Sequence, residues 1–222
     1  MSLPRKSKRF PKALKAVRHL SRVDPQLGHI IREVGPVKIE MKEETSIFES
    51  LVVSIIYQQL HGKAAAAITR RFEELFSKNG KFPTPQKVLR MDLKHLRAVG
   101  LSESKGRAIL DLAEKVKDRR IPNRTQAEEM SDEALIEALT QVKGVGPWTA
   151  QMLLIFTLGR VNVFPVLDYG VRKGYALLRG LQQLPTPKEL EASGAHWSPY
   201  RSVASWYLWR ITELERFQKV KF

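Results

Sequence analysis

The sequence predicts an all-α protein folded as a compact two-lobed helical body, and three observations predict it. Apolar residues recur at a period of 3.6 almost throughout the 222 residues. Ser, Thr or Asp marks most candidate helix starts, several with Pro directly behind. The intervening stretches are short, as connections between packed helices are.

The elements follow in order. Residues 1–9 read as a basic flexible tail, with a targeting segment as the alternative, leading into a first helix whose stripe is Phe10, Leu14, Val17 and Leu20. Asp24-Pro25 opens a helix that ends near Gly35. Val37, Ile39 and Met41 alternate with Lys38 and Glu40, a short connector too brief to imply a sheet. Ser46 and Glu49 form a capping-box pair ahead of Ile47, Leu51, Val52, Ile55 and Ile56. Beyond Gly62 a helix runs from Lys63 to about Lys78. Thr84-Pro85 and Asp92 start two short helices, and a longer one covers about 103–118. Ser131 opens the next, a glycine turn at 144–146 leads to another at about 148–159, and Asp168 caps one ending near Arg179. Thr186-Pro187 and Pro199 begin the last two. These nine or ten helices are expected to build one lobe from about 46–180 and a second from about 10–45 plus 181–222.

Charge narrows the partner. Thirty-eight Lys and Arg stand against 23 Asp and Glu, a formal net charge of +15, which suits a polyanion. The first 23 residues hold no acid, and without an apolar core they are no secretory signal. No apolar run is long enough to span a membrane. The absence of Cys excludes disulfides, Cys-ligated zinc, iron–sulfur clusters and cysteine nucleophiles. The five histidines are scattered without a zinc-binding spacing.

The sharpest local signal runs from Leu139 to Ala150. One helix ends, Lys143-Gly144-Val145-Gly146 turns, and Pro147 supplies a pre-set first position for the next. Glycine amides beside a helix N-terminus suit an anion, Lys143 adds charge, and Val145 can pin the two helices together. This is a helix–hairpin–helix pattern, which grips a nucleic-acid phosphate without reading sequence. An ordinary helical corner would show the same glycines. The spacings of a Walker A loop and of a dinucleotide fingerprint are both absent.

Asp168 follows Trp148 by 20 residues, with an apolar stretch before it and a helix after. It reads as an N-cap, as a catalytic carboxylate, or as both. An ionised carboxylate against aromatic walls suits the positive charge that a sugar develops at C1′ when an N-glycosidic bond breaks. Gln58 and Gln59 interrupt apolar periodicity before Gly62, as turn residues or as side chains that enter a minor groove. Trp206 and Trp209 share a helix face, so at least one belongs to the core.

Together these segments resemble the helix–hairpin–helix, Gly/Pro-rich loop and aspartate superfamily of DNA glycosylases, and within it the DNA-3-methyladenine glycosylase II type. The likeness covers Phe48 through Ala65, Leu96–Arg107, the hairpin, the Asp168 segment and His196 to Trp209. It implies hydrolytic excision of alkylated purines, of the 3-methyladenine and 7-methylguanine class, from double-stranded DNA. Asp168 would be the catalytic aspartate, and Trp148, Met152 and Trp209 would line the base pocket. Gln59, with Leu60 beside it, would be the minor-groove wedge, and His61 would probe the neighbouring pair. Lys143, Gly144, Val145 and Gly146 would bind a phosphate, with a monovalent Na+ or K+ at the hairpin carbonyls and no required cofactor. Met152 stands where related bacterial enzymes carry tyrosine, and the β-rich N-terminal domain of the long bacterial form is not matched. Relatives that cut the strand use a lysine near the second hairpin helix, and Pro147–Met152 has none. The resemblance thus implies a monofunctional, monomeric enzyme of the nucleoid or the nucleus. A non-catalytic DNA-binding or damage-sensing protein would share the charge and the hairpin, and would part from it at Asp168.

Overall fold

The computed structural model describes residues 7–42, 45–77 and 81–219. Along the chain run strand β1 (Ser7–Arg9), helices α1 (Ala13–Val23) and α2 (Pro25–Val34), and strand β2 (Glu40–Lys42). Then come α3 (Ile47–Tyr57), α4 (Gly62–Phe76), α5 (Pro85–Val88), α6 (Leu93–Ala98) and α7 (Glu103–Lys117). They are followed by α8 (Arg124–Glu129), α9 (Asp132–Thr140), α10 (Pro147–Phe156), α11 (Tyr169–Arg179), α12 (Pro187–Ser193) and α13 (Arg201–Lys219). The all-α expectation holds. Short polar side chains do the capping: Asp24, Ser46, Thr84, Asp92, Ser102, Ser131, Asp168 and Thr186 each accept an N–H of their own helix's first turn. Helix α8 escaped the sequence reading although Asn123 and Gln126 close a reciprocal capping box there.

The chain forms two compact units. The first is built from residues 43–153, and its core is the apolar face of α3 packed on α4 and α7. Leu51, Val52, Ile55, Ile56, Phe72, Leu96, Ile109 and Leu112 are all buried there. Each such side chain withdrawn from water contributes roughly 1.5–3 kcal/mol before entropy is charged.

The second unit joins Ser7–Lys42 to Leu154–Phe222. The boundary therefore falls at 153/154, whereas the sequence suggested a lobe reaching about 180. The reason is α11, which packs along α13 rather than on the central helices. Gly174 makes this possible: a Cβ there would sit 2.1 Å from the Leu208 carbonyl oxygen. Residues 7–9 are likewise no free tail but a strand, antiparallel to β2 with Ser7 opposite Lys42 and Arg9 opposite Glu40. Of the stripe expected for the first helix, Leu20 is buried on α1 and Phe10 is buried ahead of it, but Leu14 is exposed and Ala16 takes the inner position.

Buried Asp24 ties the second unit together. Its carboxylate accepts the Leu27 N–H at 3.0 Å and the Trp197 indole N–H at 2.8 Å, and it pairs with Arg179. Burial opposes its charge, yet the Arg179 guanidinium and these N–H donors hold the carboxyl below the ordinary aspartate value.

Candidate active site and nucleic-acid interface

In the first unit the chain leaves α3 through a tight turn, Tyr57–Leu60, closed by the Leu60 N–H on the Tyr57 carbonyl. Gln58 has φ −53° and ψ 130°, and Gln59 has φ +56°, the pattern of a type II turn. The third position of such a turn favours glycine, and a glutamine there costs on the order of 1 kcal/mol. Gln59 is exposed at the tip, with Leu60 and His61 exposed beside it. His61 occupies the N-cap of α4 without making a capping bond, so its ring is not spent on the helix.

The hairpin lies in the same unit. Gly144 takes φ +77°, open to glycine and strained for other residues, and Val145 is buried and pins the corner. Lys143 and Gly144 are exposed, and nothing lies within 4 Å of where a Gly146 Cβ would point. Side chains from other helices fix the turn. Asp111 of α7 accepts the Lys143 backbone N–H at 2.9 Å, and the Gln58 amide donates to the Gly144 carbonyl at 2.9 Å. Burial works against the Asp111 charge, but its ion pair with Lys115 and the Lys143 N–H keep its carboxyl below the ordinary value.

A cavity of about 560 Å³ opens beside these turns, lined by Tyr57, Gln58, Gln59, Trp148, Thr149 and Met152 among others. Its size is that of a small-molecule site. Trp148 and Met152, four residues apart on α10, present the same face, and Trp148 stays 44% exposed.

Asp168 and Trp209 belong to the second unit. One oxygen of Asp168 accepts the Val171 N–H at 2.8 Å, as an N-cap, and the Trp209 indole N–H at 2.8 Å. Trp209 stacks on Phe156, with ring centroids 5.8 Å apart. Gly170 lets the indole in: a Cβ there would lie 2.8 Å from Trp209 Cδ1 and 3.2 Å from the Asp168 oxygen. The Trp206 ring is buried instead, so of that pair Trp206 belongs to the core. The loop before Asp168 is pinned by Ser202 of α13, which accepts the Val163 N–H at 2.9 Å and donates to the Arg160 carbonyl at 2.7 Å.

The structure thus gathers the wedge residues, the hairpin, Trp148 and Met152 in one unit, and Asp168 with Trp209 in the other. Sequence reasoning missed Asp111, Phe156, Gly170 and the working roles of Gln58 and Ser202. None carries a local signal, because each acts on residues distant in sequence.

Residues 52–199 match the HhH-GPD superfamily base excision DNA repair protein family. The chain belongs to that superfamily. DNA-3-methyladenine glycosylase 1 of Schizosaccharomyces pombe is 39% identical over 92% of this chain and 90% of its own length. The alkylbase DNA glycosidase-like protein mag2 of the same yeast is 34% identical over 91% of this chain and 95% of its own. Of solved structures, the Schizosaccharomyces pombe 3-methyladenine DNA glycosylase in complex with abasic DNA superposes with a TM-score of 0.79 at 40% identity. That match covers 88% of this chain and 95% of the other. A DNA-3-methyladenine glycosidase from Bacillus halodurans gives 0.78 at 36% identity, covering 88% of each chain. The Lys143–Gly146 turn and Asp168 both lie within the matched residues.

Proposed function

We propose that this protein is a monofunctional DNA glycosylase that hydrolyses the N-glycosidic bond of alkylated purines, 3-methyladenine and 7-methylguanine among them, in double-stranded DNA. The observation that carries the reading is the Asp168 carboxylate, held on one oxygen by the Val171 N–H and the Trp209 indole. A carboxylate so fixed needs no reorganisation to stabilise the oxocarbenium character at C1′, and it can orient the attacking water. A purine nucleotide alkylated at N3 or N7 is cationic and its base is already a good leaving group, so a strong acid is not required. Trp148 and Met152 are the proposed walls for the extruded base, and the cation gains roughly 0.5–2 kcal/mol against an indole face. Trp209 serves this reading by holding the carboxylate as well as by offering an aromatic surface.

Gln59, with Leu60, fills the space under the flipped nucleotide, and His61 meets the adjoining pair. Lys143, Gly144 and Gly146 hold a phosphate. A Na+ or K+ at the hairpin would take main-chain carbonyls as ligands, since hard cations prefer oxygen. That of Val142 accepts the Val145 N–H and has a second lone pair to offer. Helix α10, Pro147–Phe156, contains no lysine to attack C1′, which supports hydrolysis by water without strand cleavage. The substrate puts the enzyme at the genome, nucleoid or nucleus. Incubation with methylated duplex DNA tests the whole reading: free methylated base and alkali-sensitive abasic sites are expected. Binding with no base released would leave a damage sensor in its place.

A further inference from the structure

The last turn of α3 leaves carbonyls without partners inside the helix, as every helix end does. The Ser54 carbonyl takes the Gln58 N–H and the Tyr57 carbonyl takes the Leu60 N–H. Those of Ile56 and Gln58 are both met by the Lys105 ammonium of α7, at 2.8 and 2.6 Å. Helix α3 has no basic residue in its own last turn, so Lys105 supplies from another helix the cation that a C-terminus favours. Burial pushes this ammonium below the ordinary lysine value, as expected of a group turned inward to carbonyls.

The same turn is linked onward. The Gln58 amide donates to the Gly144 carbonyl of the hairpin, while Asp111, on the same helix as Lys105, accepts the Lys143 N–H. Six residues of α7 separate Lys105 from Asp111, a rise of about 9 Å. One helix therefore anchors both the Gln59 turn and the phosphate turn.

We infer that Lys105 is a positioning residue: it holds the Gln59 turn in fixed register with the hairpin, so that one docking event on the backbone also aims the wedge. The inference rests on the wedge and hairpin roles proposed above. A lysine used in this way touches carbonyls, not phosphate, and its loss has a signature of its own.

Lys105→Met, with Lys105→Gln as the variant that keeps a donor, is to be compared with wild type on duplexes carrying one lesion in a stable pair or opposite a mismatch. Single-turnover base release and base-analogue fluorescence are read in parallel. Lys105→Met should lose about tenfold in extrusion and release from the stable pair and clearly less opposite the mismatch, where flipping is easier. Lys105→Gln should fall between Met and wild type. The salt dependence of binding to intact duplex should keep its slope, whereas loss of a phosphate contact lowers it by about one. Equal losses on both duplexes, no loss, or a lowered slope would overturn the inference. Should Lys105→Met fail to fold, Lys105→Gln carries the same comparison. Wild type that extrudes the probe without releasing base would overturn the glycosylase reading alone, and the fluorescence ratio would still decide Lys105.

Discussion

A helix-capping aspartate can be exchanged for asparagine at little cost to the helix, because both offer an oxygen to the N3 amide. At Asp168 this separates structure from chemistry. Asp168→Asn retains acceptors for the Val171 N–H and the Trp209 indole but loses the negative charge. We expect single-turnover excision to fall by about 10²–10³, with duplex affinity and thermal unfolding close to wild type. Near-normal excision would remove Asp168 from the chemistry. Gly170→Ala probes the same geometry from the other side, since its methyl group would press on Trp209 and on the carboxylate. A displacement near 1 Å of a catalytic group can cost about a hundredfold in rate, so a loss of tenfold or more is expected in single-turnover measurements. At Gln59, whose φ of +56° suits glycine better, Gln59→Gly should raise stability by up to about 1 kcal/mol while lowering excision from stable pairs. A melting curve and a single-turnover assay on one preparation test both signs together.

Among the elements, the hairpin offers the cleanest separation of fold from binding. Gly144 is a poor probe, because any side chain there meets the strain of φ +77°. Gly146 has open space around its missing Cβ, so Gly146→Val should fold normally and place its methyl groups where a phosphate would approach. Losing a charge-assisted hydrogen bond of roughly 1.5–3 kcal/mol weakens binding by an order of magnitude or more. Titrations should show that loss equally on intact and lesion-bearing duplexes, and unchanged affinity would count against phosphate contact. The pairing of α11 with α13 depends on Gly174 in a different way, since any Cβ there collides with main chain. Gly174→Ala must push two helices apart, which costs about 1–3 kcal/mol or more and should appear as a lowered Tm.

For the molecule as a whole, the net charge of +15 and the ion-paired carboxylates of Asp24 and Asp111 set opposite sensitivities. Binding to DNA should weaken steeply with salt, each neutralised phosphate contributing a slope of about −0.9. Stability should respond to acid through Asp24 and Asp111, both held below the ordinary aspartate value of 3.8. A carboxylate whose folded pKa is depressed stabilises the fold above its unfolded pKa, and that share is lost as pH falls through the folded value. Denaturant unfolding should therefore show stability flat near neutrality and dropping below about pH 4. Asp24→Asn should destabilise at pH 7 by roughly 3 kcal/mol, since Arg179 loses its partner, and it should flatten the acid drop. An acid limb unchanged in that variant would show that other carboxylates carry it.

The sequence by itself determined the helical class, most helix starts and the glycine corner, because period, capping residues and turn glycines act over three or four neighbours. It also brought Asp168 forward as a cap, and the structure bears that bond out. What only the tertiary structure decided are contacts between distant residues. The Trp209 indole reaches Asp168 across 41 positions, the Gln58 amide reaches Gly144 across 86, and the Trp197 indole reaches Asp24 across 173. Strand β1 belongs with these: Ser-Lys-Arg has little strand preference of its own, and pairing with residues 40–42 makes it a strand. The unit boundary after Leu153 has the same origin, since α11 is placed by its close approach to α13 and not by its own sequence. Local rules fix which residues become helix. Which helix ends are held, and by what, depends on side chains that arrive only when the chain has closed on itself.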